Sequence, residues 1–218
     1  MSRLGVGRRR FSVLFGAALL LGACGVPRVS LREGTRRYTA NDYFDVLGRW
    51  TREARIYTLT GLDTVLAVTA TYKAADFRWA FVARYASDLR LAPEERTRLL
   101  ADQLAQHAQA HEFYVSLQAS RRRWADLTRA DPIWHVALLD DQGHQVRPVR
   151  IQRIERPGAV ETEYFPYTNI FRETFIVQFP KTLPDGATPI FGPGRTMRHF
   201  ILRFSSAQGT GELRWDLR

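Results

Sequence analysis

Apolar residues recur with two different periods along this chain, and each change of period marks a boundary between elements. Tyr43, Val46, Leu47 and Trp50 stand at i, i+3, i+4 and i+7, which puts them on one helical face behind a capping Thr39 or Asn41. From Ala54 the period becomes two. Residues 54–60 and 63–72, split by Gly61, predict a β-hairpin. In its second strand Leu66, Val68, Ala70 and Tyr72 face one way and Val65, Ala67, Thr69 and Thr71 the other. Both faces are apolar or β-branched, as a central, covered strand requires. A four-residue repeat of Phe77, Phe81, Tyr85 and Leu89 then predicts a helix from about Ala74 to Leu89. Pro93, with Glu94 and Glu95 in the first turn, opens a second helix that runs to about His111 with Leu100, Leu104, His107 and His111 along one side. The short connection makes the pair an αα-hairpin over 74–111.

Alternation resumes after the helices and lasts to the end of the chain. Phe113, Val115 and Leu117 mark one strand, and Trp134, Val136 and Leu138 the next, which Asp141-Gln142-Gly143 turns into 145–154. Phe175, Val177 and Phe179 share a face, as do Phe200, Leu202 and Phe204. The last strand, entered through Gly209-Thr210-Gly211, sets Leu213, Trp215 and Leu217 against Glu212, Arg214, Asp216 and Arg218. The expectation is a mainly β chain with an α insertion: an antiparallel β-sandwich of about eight strands in one domain, 39–218, with the helical hairpin inserted. An immunoglobulin-like arrangement is the first choice, without the Cys…Trp…Cys spacing that would support it. Residues 155–170, with Pro157, Gly158 and Tyr164-Phe165-Pro166-Tyr167, and residues 180–196, around Gly192-Pro193-Gly194, read as long loops.

Composition adds a charge and a skew. The formal charge is +10, and only two of the 32 basic residues, Lys73 and Lys181, are lysines. The excess of arginine reads mainly as a composition bias and secondarily as a taste for bidentate anion contacts.

The first residues change the picture most. Arg3, Arg8, Arg9 and Arg10 precede an apolar or small run, Phe11 to Ala23, and residues 1–23 hold no acid. As a helix that run reaches about 20 Å, short of a ~30 Å hydrocarbon core, which suits the h-region of an export signal. Leu21-Gly22-Ala23-Cys24 resembles the lipobox of bacterial lipoproteins, a resemblance that covers residues 1–25 only. It implies cleavage after Ala23 and a thioether-linked diacylglycerol on Cys24, the sole cysteine. An acylated cysteine carrying more than one chain satisfies the requirement for stable anchoring. Residues 24–38 would then be the lipidated terminus and a tether, its basic residues near anionic head groups. Arg8-Arg9-Arg10-Phe11 also resembles the twin-arginine export motif, with general secretion the expected route. Gly25 stands where Asp would favour the inner membrane, which leans towards the outer one. With the signal removed the formal charge falls to +6, and a periplasm-facing location sets nucleic acid aside as a partner.

Candidate chemistry in the mature chain is sparse. His107 and His111, at helical i, i+4 spacing, can place two imidazoles on one metal, but H-E-x-x-H is absent. A third ligand would have to be His135, His144, His199 or a distant carboxylate. Asp140-Asp141-Gln142-Gly143-His144 groups acids beside a glycine without the calcium-loop spacing, and a hairpin turn accounts for it. Arg121-Arg122-Arg123-Trp124 can clamp an anion over an indole platform, or form a solvated loop anchored by Trp124. Glu161 and Glu163 alternate in a loop, and no G-x-S-x-G, Walker loop or G-x-G-x-x-G is present. These residues imply no cofactor. The functional expectation is a membrane-anchored envelope lipoprotein acting as a non-catalytic binding or assembly module. The alternatives are an anchored hydrolase or metal protein using His107 and His111, and a lipid or glycan carrier using the sandwich interior or the aromatic loop 164–167.

Overall fold

The computed structural model describes residues 27–58, 63–192 and 195–218. The export signal and Cys24 lie outside the described residues. The chain forms two antiparallel sheets that share one core, with helices on the outer face of the larger sheet.

Helix α1 (Tyr43–Trp50) follows a short 3-10 turn capped by Thr39, whose backbone N–H and hydroxyl both donate to Asp42 Oδ2 at 2.7 Å. Tyr43, Val46, Leu47 and Trp50 are all buried, as their spacing predicts. Strand β1 (Thr51–Tyr57) pairs with β2 (Thr64–Tyr72), and β2 is covered on both faces. The chain then makes helices α2 (Ala75–Asp88) and α3 (Pro93–Gln109) before returning as β3 (His111–Ala119) beside β2. The helical hairpin is therefore an insertion between two paired strands.

The remaining strands are β4 (His135–Leu139), β5 (Gln145–Val146), β6 (Arg150–Ile154), β7 (Glu173–Phe179), β8 (His199–Ser206) and β9 (Gly209–Asp216). The five-stranded sheet has the order β1-β2-β3-β7-β6, and the four-stranded sheet β5-β4-β8-β9. The strand expected over 145–154 is two strands in two different sheets. Pro148 cannot donate to a ladder, so pairing stops there and the chain crosses between sheets. In an immunoglobulin domain the third strand crosses to the opposite sheet. Here β3 stays beside β2, so the sandwich description holds and the immunoglobulin-like one does not follow from this order.

Between the sheets Trp215 stacks on Phe200 at 5.1 Å and its indole N–H donates to the Trp50 carbonyl at 2.9 Å, which ties β9 to the end of α1. The stretch expected as a long loop at 155–170 is a strap on the outer face of the five-stranded sheet. It contains helix α4 (Ala159–Tyr164), capped by Glu161, whose carboxylate accepts the Gly158 N–H at 2.8 Å. Phe165 lies flat on Tyr114 at 3.7 Å, and the hydroxyls of Tyr167 and Thr168 bond Thr71 and Tyr114. Aromatics that read as a loop are spent on packing.

The expected tether over 24–38 is also shorter than predicted. Val29 is buried and bridges Leu217 in parallel, with Val29 N–H donating to Asp216 at 2.9 Å and Arg218 N–H to Val29 at 3.0 Å. Tyr38 and Arg36 reach Asp76 on α2. Burial of Val29 and Leu31 against the core outweighs the freedom the segment loses. Among the described residues no helix is long and apolar enough to cross a membrane.

Candidate functional site

The strand registers place Thr51, Tyr72, His111 and Phe179 at one end of the five-stranded sheet, and the segment from Pro27 to Tyr38 runs over that end. Arg52 at the start of β1 fastens it by donating to the carbonyls of Pro27 and Arg214 at 2.9 and 2.8 Å. Between this segment, α1 and the first turn of α2 lies a cavity of about 510 Å³. Five arginines line it: Arg28, Arg32, Arg36, Arg49 and Arg218.

One carboxylate faces them. Asp76 stands in the first turn of α2, where the helix dipole favours an anion. Its Oδ1 accepts from Tyr38 at 2.6 Å and from Arg36 at 3.2 Å, and its Oδ2 accepts the Trp50 indole N–H at 3.0 Å with Arg49 3.7 Å away. Asp76 is thereby fully engaged. The guanidinium groups of Arg28, Arg32 and Arg218 have no hydrogen bond or ion pair with any other described residue. Unpaired guanidinium groups above a partly apolar floor of Val29 and Trp50 make a site for an anion, and their planar forks suit phosphate or carboxylate oxygens.

Arg28, Arg32 and Arg36 read in the sequence only as basic residues of a tether, and the five did not stand out as a group, because they are scattered over 28–49 and at 218. The signal that was available is Asp76. An acid beside the apolar start of a helix, with Trp50 and Tyr38 needing acceptors, marks a polar hub, but only the fold brings those partners together.

The residues that did stand out have other positions. Arg121 lies over the ring of half-buried Trp124 at 4.8 Å, and Arg122, almost wholly exposed, pairs with Glu173 at 3.4 Å. The cluster is at the opposite end of the sheet from the arginine cavity, and Trp124 is its anchor. Asp140 is buried: Oδ1 accepts the N–H groups of Gln142 and His144, and Oδ2 accepts from Arg195 and meets His144 Nδ1 at 2.8 Å. With Gly143 at φ +88° this is a tight turn held by its first acid.

His107 and His111 do not share a helix. Helix α3 ends at Gln109, and His111 is the first residue of β3. They nevertheless line one cavity of about 310 Å³, with Tyr72, Lys181, Glu33 and Phe191. Burial, with Lys181 nearby, pulls His107 down to about 3 and His111 well below the ordinary histidine value, so both are neutral near pH 7. His107 Nε2 is 3.6 Å from Glu33. Among the described residues no three or more His, Cys, Asp or Glu side chains are grouped to hold a metal ion. The aromatic residues 164–167 belong to the packed strap, which leaves no open aromatic platform there.

No protein-family model, no curated protein and no solved structure matches this chain.

Proposed function

We propose that the chain is a lipid-anchored protein of the bacterial envelope, held to the membrane through Cys24, and that its arginine-lined cavity takes an anionic group at the membrane surface. The observation that carries this reading is the place of the cavity. Pro27, the first described residue, sits at its edge, and three residues span at most about 10 Å. An anchor at Cys24 therefore sets Arg28 and Arg32 at the level of the phosphate groups, where each basic residue contributes about 1 kcal/mol of attraction to an anionic leaflet. The role is binding and positioning in the periplasm-facing space, on the outer membrane in the reading favoured by Gly25.

Two measurements test the two halves. Fractionation with metabolic acyl labelling is expected to find the wild type in membranes and labelled, and Cys24→Ser in neither state; a Cys24→Ser protein of unchanged size that stays in membranes refutes the anchor. For the cavity, residues 24–218 carrying Cys24→Ser are mixed with phosphatidylglycerol or phosphatidylcholine vesicles. Preference for the anionic vesicles, lost at least tenfold in Arg28→Ala/Arg32→Ala and weakened by salt, is the expected result. Equal binding to both vesicles, or no effect of the double substitution, refutes it.

A further inference from the structure

We propose that the second cavity at the same end of the sandwich, the one lined by His111 and Lys181, binds the carboxylate of a small acid with an apolar body. This site is separate from the arginine cavity and does not depend on anchoring at Cys24.

The argument starts from the proton on His111. Its ring is buried and neutral, so one nitrogen carries a hydrogen and the other accepts. Two groups approach Nδ1: the Tyr72 hydroxyl at 2.9 Å and the Lys181 ammonium at 3.5 Å. The Tyr72 hydroxyl can donate or accept, whereas an ammonium can only donate, so the Lys181 contact fixes the direction. Nδ1 is therefore the acceptor, and the hydrogen sits on Nε2. That assignment follows from the hydrogen-bond network. His111 Nε2 is buried and has no partner among the described residues.

Lys181 repeats the pattern. It forms no ion pair with any described residue, and its one polar contact is the long one to His111. Glu33, the nearest acid on the wall, is more than half exposed and lies towards His107. The cavity thus presents an N–H and an ammonium with no acceptor between them. A buried donor without an acceptor, as His111 Nε2 is, is costly, and the half-buried ammonium beside it adds positive charge, so the complementary ligand brings anionic oxygen.

The rest of the wall defines the ligand's body. Phe191 stacks on His111 at 3.9 Å, and Leu31, Pro189 and the ring of Tyr72 complete an apolar surface. The volume, about 310 Å³, is at the small end of ligand cavities. A carboxylate at the Lys181–His111 end, with a short aliphatic or aromatic body over Phe191, satisfies both halves. The ring of His111 is held by Phe191 and Tyr72, and Tyr72 by His111 in turn, so the donors are fixed before a ligand enters.

Hexanoate and phenylacetate are the probes, with hexan-1-ol as the uncharged control, titrated calorimetrically into the purified full-length protein in detergent solution and into the same detergent alone. The expected result is saturable binding of at least one acid, at least tenfold tighter than hexan-1-ol and weakened at least tenfold by Lys181→Met. In the wild type, long-range proton–nitrogen correlation is expected to show His111 as the neutral Nε2–H form, with Nε2 moving on addition of the acid. Lys181→Met removes only the charge of a half-buried side chain, and the histidine measurement needs no substitution. Acid and alcohol binding equally, neither acid binding at millimolar concentration, unchanged affinity in Lys181→Met, or a proton on Nδ1 would each overturn the proposal.

Discussion

Three donors from three parts of the chain converge on the carboxylate of Glu112: Lys73 after β2, Arg78 on α2 and Gln178 on β7. Arg78 is fully buried and also bonds the Lys73 carbonyl and the side chains of Gln103 and Gln106, so it joins both inserted helices to the sheet. Burial pushes the Glu112 carboxyl up, but Lys73 and Arg78 outweigh it and bring it down to about 2. A folded value below the ordinary 4.5 means that this contribution is complete above about pH 4.5 and is lost as pH falls towards 2. Glu112→Gln keeps the shape and strands the buried Arg78 and the half-buried Lys73, a loss of about 3–5 kcal/mol in urea unfolding at pH 7. Between pH 4.5 and 2 the variant's unfolding midpoint is expected to fall less than the wild type's.

Lys181 gives a prediction of opposite sign. Burial lowers its ammonium, Glu33 raises it and Arg78 lowers it again, to about 8, with neutral His107 and His111 also facing it. Hexanoate affinity should therefore decline as pH rises from 7 to 10, which calorimetry at stepped pH measures. Both lysines were legible as oddities in a chain of arginines, and both occupy interior polar sites. What each pairs with was not legible. Glu112 meets Lys73, and Tyr72 meets His111, only because β2 and β3 pair as Tyr72↔Phe113.

Among the elements, β9 shows how much period-two patterning reveals and where it stops. Leu213 and Trp215 are buried as their alternation predicts. The two glycines that introduce the strand read as turn residues, yet they also make room for another element. A Cβ on Gly211 would lie 3.0 and 3.1 Å from Ile56 Cγ1 and Cδ1, and one on Gly209 2.8 Å from Ile56 Cγ2. Ile56 of β1 closes the edge where the two sheets meet. Gly211→Ala is expected to cost about 1–3 kcal/mol by overpacking, and Ile56→Ala about 2–5 kcal/mol by leaving a cavity. The double variant should lose less than their sum by about 1 kcal/mol or more, read from a double-mutant cycle of denaturant midpoints. The helical hairpin, α1 and most strands were legible because each sets at least three apolar residues on one face at its period. Helix α4 was not, since its six residues between Gly158 and Phe165 complete less than two turns. The division of 145–154 turned on Pro148 alone, which interrupts a ladder without altering the apolar pattern around it.

At the scale of the molecule, the two cavities share one end with Pro27, and the other end carries Ile170 and Phe171, 92% and 74% exposed, beside the Arg122–Glu173 pair. The proposed anchor at Cys24 would turn that second end towards the aqueous space. A polarity-sensitive dye on a cysteine at Phe171 should report water whether or not membranes are present, whereas the same dye at Ser30 should shift to the blue on membranes. An identical blue shift at both positions would contradict this orientation. The Val29–Leu217 bridge has a further consequence, for folding. It joins residues from opposite ends of the described chain, so its loop-closure entropy is overcome only after the strands between them have formed. The arginine cavity, walled by Arg28 and Arg218 on either side of that bridge, is thus among the last features to appear as the chain folds. An anion bound there stabilises the finished fold and none of the partly folded states that precede it.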